Sequence, residues 1–207
     1  MVLLLTVIDP PMTSIMMQQT VDRLLHGVSP VWPQHTVLSR AGFSPNLRRA
    51  VLASEDDRFY LHYGIDMVEI NNALDRQKRG GKLRGASTLT QQVAKNIFLW
   101  NGRSFIRKGL ELYLTLWLEL ILSKERILDL YLNLAEWGTG VYGAEAAARL
   151  HYHKSAFALT RDESARLAAI LPSPRKWSVS GSIASARAVT ILGRMQYPAP
   201  KTVPATK

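Results

Sequence analysis

Asn46-Leu47-Arg48-Arg49-Ala50-Val51-Leu52-Ala53-Ser54-Glu55-Asp56-Asp57-Arg58-Phe59-Tyr60-Leu61-His62-Tyr63-Gly64 is the stretch on which the reading of this chain turns. Its apolar positions Leu47 and Val51 lead in steps of four to Glu55, so the three side chains share one helical face. A carboxyl on the face that packs against protein meets apolar surroundings, which disfavour its charged form and raise its pKa. That is the state a general base or acid working near neutral pH requires. A salt-bridged or capping acid fits the same residues, and the residues alone leave both readings open. Ser44 followed by Pro45 predicts the start of this helix, a capping hydroxyl and then proline at the first helical position.

Working outward, the pattern is helical nearly throughout, with no sustained alternation that would argue for strands. Asp66 with Glu69 opens a helix that runs through Ala73 and Leu74 to Lys78-Arg79 and stops at Gly80-Gly81. Lys82-Leu83-Arg84-Gly85 then reads as a mobile basic loop. Ser87 is expected to cap the next helix, with Leu89, Val93 and Ile97 on its buried face and Gln91, Gln92 and Lys95 on the flank. Ser104 begins a long helix whose run Leu110 to Leu122 is interrupted only by Glu111, Thr115 and Glu119. Too short to span lipid, it reads as a central core helix, or else as one that grazes a membrane. Ser123 opens Ile127 to Leu134, and a capping box, Thr160 with Glu163, opens the helix that ends at Pro172. A last helix, roughly Ile183 to Met195, precedes a proline-rich tail, 198–207, expected to be disordered.

Composition limits the function classes. With 207 residues, 47% of them hydrophobic, the chain can bury one core, or one core with a small satellite lobe. Absence of cysteine rules out disulfides and thiolate metal sites. Lysine and arginine outnumber acids 26 to 16, and a formal charge of +10 predicts an anionic partner: nucleic acid, an anionic membrane surface or a phosphate-bearing substrate. The common nucleic-acid signatures do not appear, since Trp and Phe are spread among apolar runs rather than alternating with basic residues. The apolar run Met1 to Ile8 ends at Asp9-Pro10-Pro11, far short of the roughly 20 residues a membrane span needs, and reads either as a buried segment or as the end of an anchor.

Two further stretches offer chemistry. Between Gly85 and Asn96, free amides at a helix start, the hydroxyls of Ser87, Thr88 and Thr90, and Lys95 beyond them can form an anion site suited to phosphate; an ordinary capped helix is the simpler reading of the same residues. It is not a Walker loop, because the glycine-lysine-serine/threonine order is missing. Arg107, Lys108 and Glu111 lie three and four residues apart, which sets two cations beside one carboxylate, either as a plain ion-pair cluster or at the edge of a cleft.

Together these stretches resemble a family. Glu55-Asp56 with Phe59, His62 and Gly64, then Gly85-x-Ser87-Thr88-x-Thr90-Gln91-Gln92, then Arg107-Lys108-x-x-Glu111, then Lys124 with Ile127-Leu128-x-x-Tyr131-Leu132-Asn133, are similar in order and gap to the motifs of the peptidoglycan glycosyltransferase domain of penicillin-binding proteins, glycosyltransferase family 51. A fifth stretch, Ala146-Ala147 through Leu167-Ala168-Ala169-x-Leu171-Pro172-x-Pro174, extends the resemblance over roughly residues 30 to 195. It is to the stand-alone form of the family, with no transpeptidase stretch after the last helix.

The resemblance implies a mainly α, lysozyme-like fold with a catalytic lobe and a smaller membrane-facing lobe. Residues 1–29 would be the remnant of a membrane anchor and lead-in, 30–197 the glycosyltransferase domain and 198–207 a tail. It implies lipid II and the growing glycan chain as substrates, a membrane surface as partner, and contacts with the cell-division or elongation machinery. The expected location is the bacterial inner membrane, with the catalytic domain on the external face. Glu55 and Glu111 carry over as the catalytic acids, Glu55 as the base and Glu111 in an electrostatic role. Asp56, Ser87, Thr88, Gln91, Gln92, Lys95, Arg107 and Lys108 carry over as substrate-binding residues. His62 would fix the loop after Glu55, and Tyr131 and Asn133 would pack behind the site. No cofactor is required; a divalent cation could assist the pyrophosphate, although the sequence displays no dedicated ligand cluster. The rival reading is a lysozyme-like hydrolase, which would need no pyrophosphate site.

Overall fold

The computed structural model describes residues 2–27, 32–81, 87–102 and 104–197. The basic loop at 82–85 and the tail at 198–207, on which mobility and disorder were expected, lie outside these residues. Among the described residues the helices are α1 (Ser14–Leu25), α2 (Pro45–Glu55), α3 (Met67–Lys78), α4 (Leu89–Phe98), α5 (Phe105–Ile121), α6 (Lys124–Leu134), α7 (Ala144–Tyr152), α8 (Arg161–Ile170) and α9 (Ser182–Arg194). The mainly α reading therefore holds.

The expected helix signals act as caps. Ser44 accepts the Asn46 amide at 3.1 Å with Pro45 at the first position of α2, Asp66 accepts the amides of Val68 and Glu69, and Thr160 forms the capping box with Glu163. The buried face of α2, including Leu47, Ala50 and Val51, packs on α8 and α9. In the other half of the core α4 lies against α1, α5 and α6. Ser14 ties the start of α1 to the end of α4, its hydroxyl donating to the Asn96 and Leu99 carbonyls.

The central helix is α6, in which every residue from Ile127 to Leu134 is buried. That corrects the expectation for α5. It buries only Glu111, Thr115 and Leu118, one narrow stripe, and turns the apolar side outward: Phe105 is 98%, Ile106 75% and Leu120 76% exposed. The inward groups at steps of four are polar and have partners, so the helix is amphipathic in the reverse sense to a core helix.

No strands were expected, yet β1 (Gln34–His35), β2 (Glu136–Gly138) and β3 (Val141–Tyr142) form a sheet in the order β1-β3-β2. β1 runs parallel and β2 antiparallel to β3, with an irregular register between Glu136 and Gly138. Strands of two or three residues are too short to display an alternating pattern. At the amino end, Val2–Thr6 make a 3-10 turn that buries Leu5, whose carbonyl accepts from Arg126 at 2.7 Å. Asp9 pairs with Arg126 at 3.1 Å and accepts from Asn133 at 3.2 Å, while Leu3, Leu4, Val7 and Ile8 stay exposed. No helix among the described residues is long and apolar enough to cross a membrane.

Candidate active site

Glu55 ends α2 and is half-buried at the wall of a cavity of about 530 Å³ that Asp56, Ser87, Thr88, Arg187 and Arg194 also line. Ser54 donates to its Oε1 at 3.0 Å, and Gln92 of α4 donates to its Oε2 at 3.2 Å. Burial pushes the carboxyl above its ordinary range; the hydrogen bonds from Gln92 and Ser54 and the charge of Arg187 pull it partly back. Tyr131 stands behind, its hydroxyl donating to Gln92 Oε1 at 3.2 Å.

The residues after Glu55 lock the start of α4 against α2. Asp56 is buried, one carboxylate oxygen meeting His62 Nε2 at 2.9 Å and the other accepting the Leu89 amide at 3.0 Å. His62 thus fixes the loop, as expected. The cap of α4 is Thr88, not Ser87: Thr88 accepts the Gln91 amide while Gln91 Oε1 accepts the Thr88 amide, a capping box three residues apart. This turns Gln91 inward, buried, instead of onto the flank, and leaves Ser87 exposed at the cavity. Thr88 also donates to the Gly64 carbonyl at 2.6 Å. Gly64 sits at φ +74°, and a Cβ there would lie 2.5 Å from the Thr115 methyl.

One turn beyond Gln92 on the same face of α4 comes Lys95. Burial lowers its pKa, Glu111 raises it again, and Arg107 lowers it. Glu111 is buried on α5 and holds two cations, Arg107 Nη1 at 2.7 Å and Lys108 Nζ at 2.5 Å. Arg107 is held further by the Gly102 carbonyl at 2.8 Å. The predicted residues therefore gather in two groups. Glu55, Asp56, Ser87 and Thr88 line the cavity; Lys95, Arg107, Lys108 and Glu111 form a cation cluster that does not line it and is joined to it along α4 by Gln92.

Several residues escaped the sequence reading. Ser54, Arg187 and Arg194 border the cavity, and no local pattern ties α9 to a helix about 130 positions earlier. Asp56, His62 and Asp66 bring one ligand-type atom each to within 4.8 Å of one another, a grouping not visible in the sequence. Their atoms are engaged already: Asp66 caps α3 and pairs with Arg58 at 3.0 Å, and Asp56 holds His62 and α4.

A carboxyl raised by burial at a cavity wall, and an anchored set of cations reached from it along α4, thus stand on a mostly helical scaffold. Residues 22–196 match the family model described as Transglycosylase, and the chain belongs to that family as a glycosyltransferase. It is similar to proteins named biosynthetic peptidoglycan transglycosylase. That of Pseudomonas entomophila is 52% identical over 86% of this chain and 75% of its own length. That of Pseudomonas syringae is 46% identical over 94% and 83%, and that of Pseudomonas aeruginosa 49% identical over 84% and 74%. The rival hydrolase reading gains nothing from these matches.

Proposed function

We propose that this chain polymerises lipid II into β-1,4-linked glycan, releasing undecaprenyl pyrophosphate, with Glu55 as the base. The observation that carries the proposal is the pairing of a carboxyl made more basic by burial with a cation cluster, linked through α4, whose Gln92 holds the carboxyl and whose Lys95 belongs to the cluster. A neutral sugar hydroxyl is a poor nucleophile, so Glu55 removes the proton from the acceptor 4-hydroxyl as its oxygen attacks the anomeric carbon of the growing chain. The bond to pyrophosphate breaks on the opposite face, which inverts an α linkage to β.

Negative charge accumulates on the departing pyrophosphate, and Arg107, Lys108 and Lys95 are held where fixed positive charge can meet it. Glu111 takes the electrostatic role: both its oxygens are occupied by Arg107 and Lys108, which sets the two cations in place. Asp56, Thr88 and Gln91 shape the entrance to α4, and Ser87 lies free at the cavity for substrate. A divalent cation assisting the pyrophosphate is compatible with this reading, and no step requires one.

The outward apolar side of α5 fits the surface of the bilayer that holds the substrate, next to the cation cluster at the helix start. Placement at the external face of the inner membrane, in contact with the division or elongation machinery, follows from the same reading. The test is purified protein with lipid II in detergent: uncross-linked glycan should form, and Glu55→Gln should abolish it while lipid binding persists. Normal polymerisation by that variant removes Glu55 from the role, and shortening of preformed glycan by the parent restores the hydrolase.

A further inference from the structure

We infer that Arg187 is a positioning residue for the transfer reaction, acting through Ser54 to hold the Glu55 carboxylate ionised and aimed into the cavity. The inference rests on the reading of Glu55 as the base. Arg187 reaches from α9 to α2: its Nη2 donates to Ser54 Oγ at 3.3 Å, and Ser54 Oγ donates to Glu55 Oε1 at 3.0 Å. A guanidinium occupying a lone pair of the hydroxyl oxygen turns the hydroxyl proton to the far side, where Glu55 Oε1 and the Ala168 carbonyl at 3.2 Å wait.

The guanidinium itself is fixed. Its Nε donates to the Ala169 carbonyl at 3.0 Å, and it lies 5.6 Å from the centroid of the Trp177 ring. Among the described residues it has no carboxylate at ion-pair distance, unlike Arg58, Arg49 and Arg166. Its positive charge is thus not cancelled locally and acts on the carboxylate across the cavity wall. The other groups facing Glu55 are Gln92 from α4, Asp56 beyond the end of α2 and Tyr131 from α6. Arg58 and Arg194 stand farther round the cavity, occupied by Asp66 and the Ala53 carbonyl.

The test is the pH profile of initial lipid II polymerisation for the full chain and for Arg187→Gln, Arg187→Lys and Ser54→Ala, with thermal melts alongside. A positive charge favours the ionised carboxylate, so Arg187→Gln should move the acidic limb to higher pH while the alkaline plateau stays within a few-fold of the parent. Arg187→Lys should keep the limb near its original position, and Ser54→Ala should move it upward as well. A uniform loss of rate at every pH, with the limb unmoved, assigns Arg187 to packing alone and overturns the inference. Should Arg187→Gln fail to fold, Ser54→Ala decides: an unmoved limb there overturns it equally. Glu55→Gln separates the two levels, since an active Glu55→Gln enzyme sinks the base assignment, whereas a dead one beside an unmoved Arg187→Gln limb sinks only the role of Arg187.

Discussion

Gln92 fixes Glu55 with an amide whose own orientation is set from behind: Nε2 donates to the carboxylate at 3.2 Å because Oε1 is occupied by the Tyr131 hydroxyl at 3.2 Å. Burial keeps that hydroxyl protonated far beyond the ordinary tyrosine range, so it remains a donor throughout the working pH span. Gln92→Ala removes a hydrogen bond to a charged group and should slow polymerisation about tenfold below neutral pH, less above it. Tyr131→Phe, acting one bond further away, should cost only a few-fold. Equal losses in the two variants at all pH values would contradict this ordering.

Glu55 also carries a stability cost. Its folded pKa is raised above 4.5 by burial, so its contribution to stability is fully present below that value and is lost as pH rises through the folded pKa. Glu55→Gln should therefore melt higher than the parent at pH 7.5, by about 2–4 °C for roughly 1 kcal/mol, with the difference shrinking toward pH 4. Calorimetric melts across that range would reveal the trend, and a lower melting temperature at pH 7.5 would refute it.

The cation cluster should bind inorganic pyrophosphate in the absence of lipid. Arg107→Ala is expected to weaken that binding and to lower kcat by about a hundredfold, the scale of losing one charge-stabilising donor. Glu111→Gln should do likewise although it removes a negative charge, because the two cations lose their anchor. Burial lowers the pKa of Lys95, so an arriving anion should raise it and draw in a proton at alkaline pH. Titration calorimetry in buffers of different ionisation enthalpy would detect that uptake, and its absence in Lys95→Met would assign it.

Gly64 is required for two reasons, its φ of +74° and the Thr115 methyl in the space of a Cβ. Gly64→Ala should destabilise the fold by roughly 2–4 kcal/mol, lowering the melting temperature by about 5–15 °C. It should also cut activity in the surviving folded fraction, since the Gly64 carbonyl holds Thr88 at the cap of α4. A melt within a degree of the parent would exclude this account.

Phe105, Ile106 and Leu120 are the outermost apolar side chains of α5. Replacing all three by serine should leave the melting temperature nearly unchanged while reducing co-sedimentation with anionic vesicles severalfold. Activity on vesicle-embedded lipid II should fall with it, and activity on a short-chain soluble donor should not. Unaltered vesicle binding would assign membrane contact elsewhere.

Where local chemistry determines structure, the sequence was readable. The step of four from Leu47 to Glu55, the Ser44-Pro45 start and the Asp66 and Thr160 caps all stand in the structure, as does the Arg107-Lys108-Glu111 cluster. The reading failed where the deciding neighbour is distant or the pattern ambiguous. Ser87 and Thr88 are both competent caps, and Gln91, three residues after Thr88, settles the choice. The Leu110 to Leu122 run is equally apolar for a core or a lipid surface, and only its polar residues, turned inward in the fold, tell the two apart. Arg187 reaches Glu55 through tertiary packing of α9 on α2, which no single-segment periodicity records.

Ser14 of α1 grips the far end of α4, and Arg187 and Arg194 of α9 grip carbonyls of α8 and α2. The outermost helices are thus braces for the two helices that bear Glu55 and Lys95. A shortened fragment running from about residue 30 to 180 would retain every motif yet lose both braces. Trimming from either end should therefore erode turnover well before it erodes helical content, and a minimal version of this enzyme is longer than its motifs suggest.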